Sequence, residues 1–326
     1  MTDKTEEKPT IDAAVTAPWL RFLKDVEPFR PELYRYCRHL TRSPWDAEDL
    51  VQDTLARAFV TLGCHGDHIE NPKGWLVRVA TNLWLNQLKR AREIATPDPA
   101  AHREARAEEP RDTREASGTL IGRLAPQERA AVVLKDVFDF TLEEIAEALS
   151  TSVGAIKAAL HRGRGKLTDP ELEMGTSTPP AVLDAFADAF NRRDLEGLTA
   201  LLLDTAIADF PGLAVIYGAQ ATKNGPLRGV LFGDPSSDRG GIAPQYRRGV
   251  LPQPPRVELR MHRGEPILVA WFGHQDGEAV RALTRFEVEG DRVKKFTTYL
   301  HQPEVIAEIC TEMGVPFKTN GYSHVW

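Results

Sequence analysis

Apolar positions repeat with a helical period over residues 20–95 and 118–168, and with a period of two beyond residue 255. The clearest stretch is TLEEIAEALSTSVGAIKAALHRGRGKL, residues 141–167. Leu142, Ile145, Ala146 and Leu149 form one apolar helical face, and Thr141 with Glu144 has capping-box spacing at its start. Ser150, Thr151 and Ser152 break the pattern, and Ser152 suits the cap of a second helix. That helix is apolar at Val153, Ile156, Leu160 and Leu167, and basic elsewhere through Lys157, His161, Arg162, Arg164 and Lys166. Two short helices joined by a tight turn, the second one basic, form an arrangement that enters a DNA major groove. The same pattern also describes an ordinary helical hairpin with a solvated basic face.

Two longer helices are predicted upstream. Ser43-Pro44-Trp45-Asp46 is a helix start, and DAEDLVQDTLARAF buries Ala47, Leu50, Val51, Leu55, Ala58 and Phe59. It leaves Asp46, Glu48, Asp49, Gln52 and Asp53 outside as an acidic face. Asn71-Pro72 starts the next helix, whose Leu76, Val79, Ala80 and Leu83 point inward. Trp75, Arg78, Asn82, Asn86, Lys89, Arg90 and Arg92 form a basic, amide-bearing surface that suits separated DNA strands: aromatic faces stack on bases while cations follow phosphates. Trp75 and Trp84 each fit a core position as well as a stacking one.

From Pro179 the texture changes. Val182, Leu183, Phe186, Ala189 and Phe190 mark one helix, and Leu195, Leu198, Leu201 and Leu202 a second. Strands are predicted at 256–261, 266–272, 279–288 and 292–300, separated by turn signals at Arg263-Gly264, Asp276-Gly277 and Glu289-Gly290-Asp291, with a last helix at 303–313. Helices followed by antiparallel strands predict an α+β layer fold with a curved antiparallel sheet. The segment 214–249 is rich in Gly, Pro and Arg, and reads as an insertion or as a loop over a pocket mouth, with Arg228, Arg239, Arg247 and Arg248 as candidate contacts to nucleic acid or the helical domains.

A length of 326 residues predicts two or three domains. The textures divide the chain into a disordered tail at 1–19, an all-α unit at 20–95, a tether at 96–117, an all-α unit at 118–168, a joint at 169–178 and a third domain at 179–326. The acidic start MTDKTEEKPT is unlike a secretory signal, and no apolar run approaches the ~18 residues of a membrane span, so a cytoplasmic chain is expected. Cys37, Cys64 and Cys310 are scattered without a Cys-x-x-Cys pair, which predicts buried, inert thiols and no metal site. Net charge is −6, so any grip on DNA needs a local basic surface or a larger partner.

The order of the helical motifs resembles that of bacterial extracytoplasmic-function sigma factors, the small promoter-specificity subunits of RNA polymerase. DAEDLVQDTLARAF is similar to the family's polymerase-binding helix and NPKGWLVRVATNLWLNQLKR to its minus-10 recognition helix. LAPQERAAVVLKDVFDFTLEEIAEALSTSVGAIKAALHRGRGKL is similar to its minus-35-binding domain. The resemblance covers about half the chain, and implies sigma region 2 at 20–95 and sigma region 4 at 118–168. It implies that Asp46, Asp49, Gln52 and Asp53 meet core RNA polymerase, and that Trp75, Arg78, Asn82, Asn86, Lys89 and Arg90 meet the minus-10 element of promoter DNA. The loop 63–70 would capture a flipped base. Ala155, Lys157, Ala158, His161, Arg162 and Arg164 would face the minus-35 element. Polymerase would supply most of the electrostatic grip, which reconciles the acidic net charge. Family members commonly carry polar or basic residues where this chain has Ala155, Ala158 and Ala159; alanine touches a thymine methyl but cannot read a base edge, so weak minus-35 discrimination is predicted.

VLDAFADAFNRRDLEGLTALL resembles the opening of a SnoaL-like domain of the nuclear-transport-factor-like superfamily, a helix pair followed by a curved sheet around a pocket. Some sigma factors carry such a tail, which implies a modulating role here, although the WLPEP and DGGGK motifs of the best-known subgroup are absent. Asp209, Tyr217, His274 and Tyr299, with His262 and His301 nearby in sequence, are candidate pocket residues for a small-molecule ligand. Related pockets use a carboxylate–His pair as acid and base. No pair here has diagnostic spacing, so sensing or packing is favoured over catalysis, and His262 reads as a strand end. The leading expectation is a non-enzymatic sigma factor without cofactors that directs promoter recognition and transcription initiation. The alternatives are a one-component helix-turn-helix regulator with a small-molecule-sensing tail, and a promoter-tethered enzyme.

Overall fold

In the computed structural model, which describes residues 11–65, 69–95, 124–165, 179–233, 249 and 254–322, the expected helix starts are in place. The chain divides into two units, Met1–Leu172 and Glu173–Trp326. The first opens with α1 (Ile11–Val26), α2 (Arg30–Thr41), α3 (Pro44–His65) and α4 (Pro72–Ala95). At α3, Ser43 Oγ accepts the Asp46 amide at 3.2 Å; at α4, Asn71 Oδ1 accepts the Gly74 amide at 2.9 Å. Leu33, Tyr36 and Leu40 of α2 pack with Trp45, Leu50 and Leu55 of α3 and with Leu76, Ala80 and Trp84 of α4, all buried. The Tyr36 and Thr81 hydroxyls bond at 2.6 Å within this core. Residues 11–19, expected as part of a tail, are helical. Trp19 and Phe22, one turn apart, set their rings 5.1 and 5.5 Å from that of Phe59, and this burial offsets the cost of ordering the segment. Residues 1–10, the tether 96–117 and the joint 169–178 lie outside the described residues.

The same unit continues with α5 (Pro126–Val132), a π-helical turn (Val133–Val137), α6 (Leu142–Ala148) and α7 (Val153–Gly165). The capping box at α6 is formed: Thr141 Oγ1 accepts the Glu144 amide at 3.1 Å, and Glu144 Oε2 accepts the Thr141 amide at 2.8 Å. Ser150 turns the chain with φ at 49°, and Ser152 Oγ accepts the Ala155 amide at 3.2 Å to start α7. Ile145, Ala146, Ile156 and Leu160 face inward together.

The second unit runs α8 (Ala181–Asn191), α9 (Leu195–Ala200), β1 (Leu202–Phe210), β2 (Ala214–Tyr217), α10 (Ala219–Thr222), a π turn (Lys223–Leu227), α11 (Arg228–Phe232), β3 (Arg256–His262), β4 (Glu265–His274), β5 (Gly277–Glu289), β6 (Arg292–Tyr299) and α12 (Pro303–Glu312). Among the described residues six strands form one sheet in the order β2-β1-β6-β5-β4-β3. Every pairing is antiparallel except β1 with β6, which is parallel, with Ala208 opposite Phe296. The sheet is therefore mixed where an antiparallel one was expected: β1 joins β6 through no hairpin, so no tight turn imposes opposite directions. Register shifts at Ala270/Trp271 and Glu287/Val288 curve it into an α+β cone. β3 to β6 fall where alternation predicts them. β1 and β2 were not expected, because Leu201 and Leu202 continue the helical spacing and a register shift between Leu202 and Ile207 disturbs the alternation. Of the segment 214–249, residues 214–217 are β2 and 219–232 are helical rather than irregular loop. Phe186, Phe190, Leu198 and Leu227 from the helices pack with Leu268 and Phe296 of the sheet. α12 packs on β5 and buries Val305, Ile306, Ile309 and Cys310.

Candidate nucleic-acid interface

α4 divides cleanly into two sides. Leu76, Val77, Ala80 and Trp84 are buried, while Asn82, Asn86, Lys89 and Arg90 are exposed and Trp75 and Arg78 half-buried. The six candidate minus-10 residues thus share one strip at i, i+3 and i+7 spacing. Trp84 belongs to the core: it is 4% exposed, with the Arg129 guanidinium 5.4 Å from its ring centroid. Trp75 keeps a partly open face. Of the loop 63–70, Gly63 and Cys64 form the last turn of α3, Ile69 and Glu70 precede α4, and 66–68 lie outside the described residues. Cys37 and Cys310 are buried, and burial pushes the Cys310 thiol up to about 12. Cys64 is exposed, contrary to expectation, because the end of α3 outruns the core; Val60 there is also exposed, and a Cβ on Gly63 would meet nothing within 4 Å.

On α3, Asp49 and Asp53 are exposed and Asp46 and Gln52 half-buried. Glu48, expected outside with them, is 0% exposed. It faces α2, where the Arg30 guanidinium donates to its carboxylate, and Gln52 Nε2 donates to the same Oε1 at 2.6 Å. A buried carboxylate requires such partners. Gln87 Nε2 donates to Asp53 Oδ2 at 3.1 Å, tying α3 to α4.

α7 exposes Ala155, Lys157, Ala158, His161, Arg162 and Arg164 and turns Ile156, Ala159 and Leu160 inward. Ala155 and Ala158 lie on the outer face, as the helical wheel predicts, whereas Ala159 is core. Of the four basic side chains among them, two are paired within the unit. Arg162 Nε donates to Glu128 Oε1 at 2.9 Å, and Arg164 Nε donates to Asp136 Oδ2 at 3.0 Å, which raises the pKa of the Arg164 guanidinium. These bonds hold α7 against α5 and the π turn.

The two helical parts of this unit touch, which nothing in the sequence signalled. Arg129 of α5 is 6% exposed; its Nη1 donates to the Leu40 carbonyl at 2.8 Å, and its guanidinium lies over Trp84. Phe138 meets the Tyr36 ring edge-on at 5.6 Å. Arg78 Nη1 contacts Glu147 Oε1 at 2.6 Å. A cleft of about 400 Å³ lies between Trp75, Arg78 and residues 69–71 on one side, and Phe140, Glu144 and Glu147 on the other.

The family profile described as Sigma-70 region 2 matches residues 26–94, and the one described as Sigma-70, region 4 matches residues 114–167. The ECF RNA polymerase sigma factor SigM of Mycobacterium tuberculosis (strain Erdman) is 30% identical over 141 residues, which is 42% of this chain and 69% of that protein. The chain belongs to the extracytoplasmic-function (ECF) sigma-factor family. The ECF sigma factor SigG of Mycobacterium tuberculosis (strain H37Rv) is 31% identical over 239 residues, 61% of this chain and 64% of SigG, so the chain spans less than two thirds of that relative. The crystal structure of the Mycobacterium tuberculosis ECF sigma factor SigJ aligns over 85% of this chain and 95% of its own, at 24% identity and a TM-score of 0.31.

In this ECF sigma factor the C-terminal cone encloses a cavity of about 70 Å³ walled by Phe186, Phe210, Phe272, Phe296, Leu227 and Val230, among others. Its polar side chains are Thr284 and Thr298, whose hydroxyls bond to each other at 3.0 Å. The residues expected in a pocket lie elsewhere. Thr298 and Leu300 line the cavity, so Tyr299 between them points the other way and is buried; Asp209 beside Phe210 likewise points away and meets Lys295 Nζ at 2.9 Å. Tyr217 is exposed on edge strand β2, and His274 ends β4, where burial lowers its pKa. His262 does end a strand, as expected, and its Nε2 bonds Glu312 Oε2 of α12 at 2.6 Å. His301 is buried, with Nδ1 3.3 Å from the Gly321 carbonyl. Arg228 is half-buried on α11; Arg239, Arg247 and Arg248 lie outside the described residues. Among the described residues no cluster of His, Cys, Asp and Glu is placed to hold a metal, and no helix is long and apolar enough to cross a membrane.

Proposed function

We propose that this chain binds core RNA polymerase and directs promoter recognition and transcription initiation in the bacterial cytoplasm. The observation that carries the reading is the single strip on α4 of Trp75, Arg78, Asn82, Asn86, Lys89 and Arg90, followed in the same chain by the helix-turn-helix α6–α7. Asp46, Asp49, Gln52 and Asp53 of α3 supply the polymerase contact. The α4 strip reads the minus-10 element after strand separation, because stacking and amide contacts need unpaired bases. Ala155, Lys157, Ala158, His161, Arg162 and Arg164 lie along the minus-35 element. Co-purification of the chain with core polymerase, and run-off transcription that depends on it, test the reading. A chain that binds operator DNA alone and never retains core polymerase is the one-component regulator instead.

For the C-terminal cone we propose a regulatory role without catalysis, its cavity taking a small uncharged ligand. In support, no acid or base among the described residues lines the cavity, and the carboxylate candidate Asp209 is engaged by Lys295. Ala282 lines this cavity, and Ala282→Val narrows it; the variant is expected to alter the transcriptional output of the full chain without altering core binding. Turnover of any substrate that Asp209→Ala abolishes refutes the non-catalytic reading.

A further inference from the structure

We propose that the cavity of the cone selects a small neutral ketone or aldehyde, its hydrocarbon part held by the phenylalanine walls and its carbonyl oxygen by the Thr284–Thr298 hydroxyl pair. The proposal rests on the reading of the cavity as a ligand site, and names the chemical class of the ligand. Thr284 of β5 and Thr298 of β6 stand opposite each other in the strand register, and Leu268 of β4 stands opposite Thr284 on its other side. The two hydroxyls therefore have each other, at 3.0 Å, and hydrocarbon around them. A threonine hydroxyl has one O–H to donate and two lone pairs. One O–H is spent within the pair, and among the described residues neither hydroxyl has another partner, so the second O–H is left for a ligand.

A donor without an acceptor is costly in an apolar setting, so the pair favours whatever brings an oxygen. Water is a poor occupant: a buried water typically makes about three hydrogen bonds, and the side chains of this cavity offer it only the two neighbouring hydroxyls. A carboxylate would give up its hydration for one hydrogen bond. A carbonyl oxygen accepts the free O–H and has no donor of its own to satisfy. Size narrows the class further. One water needs about 10–15 Å³ of such space, so a cavity of about 70 Å³ admits about five to seven heavy atoms. Phe186, Phe210 and Phe296 supply the hydrocarbon contact, with Phe210 edge-on to Phe296 at 6.3 Å. A ring of that size has less conformational freedom to lose on binding than an open chain. Cyclohexanone has the right size, charge and acceptor.

The test titrates cyclohexanone and methylenecyclohexane, which share a shape and differ in the acceptor oxygen, into the full chain with isotopically labelled alanine and leucine methyls. Binding is read by NMR at Ala270, Ala282, Leu227 and Leu268, which line the cavity. Thr284→Val with Thr298→Val removes both hydroxyls and keeps their shape, a change close to neutral for folding because no partner is left unpaired. Cyclohexanone is expected to bind this variant about tenfold more weakly than the parent chain, the equivalent of one hydrogen bond in an apolar setting. Methylenecyclohexane is expected to bind it no more weakly than the parent. Ala282→Val, which narrows the cavity and keeps both hydroxyls, is expected to weaken both compounds. Cyclohexanecarboxylate, tested on the parent chain alone, is expected to leave the lining methyls unmoved. Undiminished cyclohexanone binding in the double valine variant, an equal loss of both ring compounds there, or a carboxylate that binds as tightly as the ketone overturns the proposal and leaves the cavity a ligand site. If neither ring compound moves a lining methyl of the parent chain, the small-ligand reading of the cone falls and takes the proposal with it.

Discussion

Two glycines on α7 make opposite predictions. A Cβ on Gly154 would meet nothing nearer than Ser152 Oγ at 3.9 Å, so Gly154→Ala should stabilise region 4 by about 0.5–1 kcal/mol through helix propensity alone. A Cβ on Gly163 would fall 2.8 Å from Val132 Cγ2, well inside ordinary contact. Val132 is buried in α5 and cannot swing aside, so α7 must shift, at a cost of about 1–3 kcal/mol. After the propensity gain, Gly163→Ala should destabilise by about 1 kcal/mol. The next neighbours, Glu128 Cβ and Leu124 Cδ1, both lie at 3.6 Å, a comfortable contact. Val132→Ala costs about 2 kcal/mol by itself, but removes the clashing methyl. In that background Gly163→Ala should become stabilising by about 1 kcal/mol, a coupling near 2 kcal/mol with reversed sign. Native-state hydrogen exchange of the α5 and α7 amides isolates region 4 from the rest of the chain and reads all four states. Greater protection in Gly163→Ala than in the parent chain, or a penalty that persists beside Val132→Ala, refutes the packing argument.

Other outcomes follow from the same geometry. Glu312 is partly buried, which opposes ionisation, but bonds from Arg263 and His262 outweigh this and hold its carboxyl below the ordinary range. A depressed folded value contributes stability above the unfolded value and loses it as pH falls. The denaturation midpoint of the cone should therefore drop between about pH 5 and pH 3, and Glu312→Gln should flatten that drop. With Ala155 and Ala158 on the outer face of α7, single minus-35 substitutions should cost less in run-off transcription than minus-10 ones; equal costs contradict the assignment. Arg164→Ala breaks the Asp136 pair, which is exposed, and should lower region 4 stability by no more than about 1 kcal/mol in the same exchange measurement.

Local chemistry was legible in the sequence, and contacts between distant residues were not. Thr141/Glu144, Ser152, Ser43 and Asn71 act as caps because capping needs only near neighbours. β3 to β6 could be read because alternation and turn residues are local too. Ala206, Ala208 and Phe210 of β1 do alternate, but two leucines in helical register just before them hid the strand start. The burial of Glu48 depends on Arg30 in another helix, and the place of Arg129 on Leu40, 89 residues away. Two of the pocket candidates were misplaced by a single position: Asp209 and Tyr299 each neighbour residues that line the cavity, and in a strand one position exchanges the faces.

The parallel pairing of β1 with β6 also has a consequence during synthesis. β1 stays unpaired along one edge until Arg292–Tyr299 leaves the ribosome, and β5 stays uncovered until Pro303–Glu312 follows. The α5–α7 bundle needs only local partners and completes much earlier. At bacterial rates the intervening stretch takes roughly 7–30 s to synthesise. A nascent chain therefore carries finished helical regions and an unfinished cone for that interval. Any restraint the cone exerts therefore begins only after that interval.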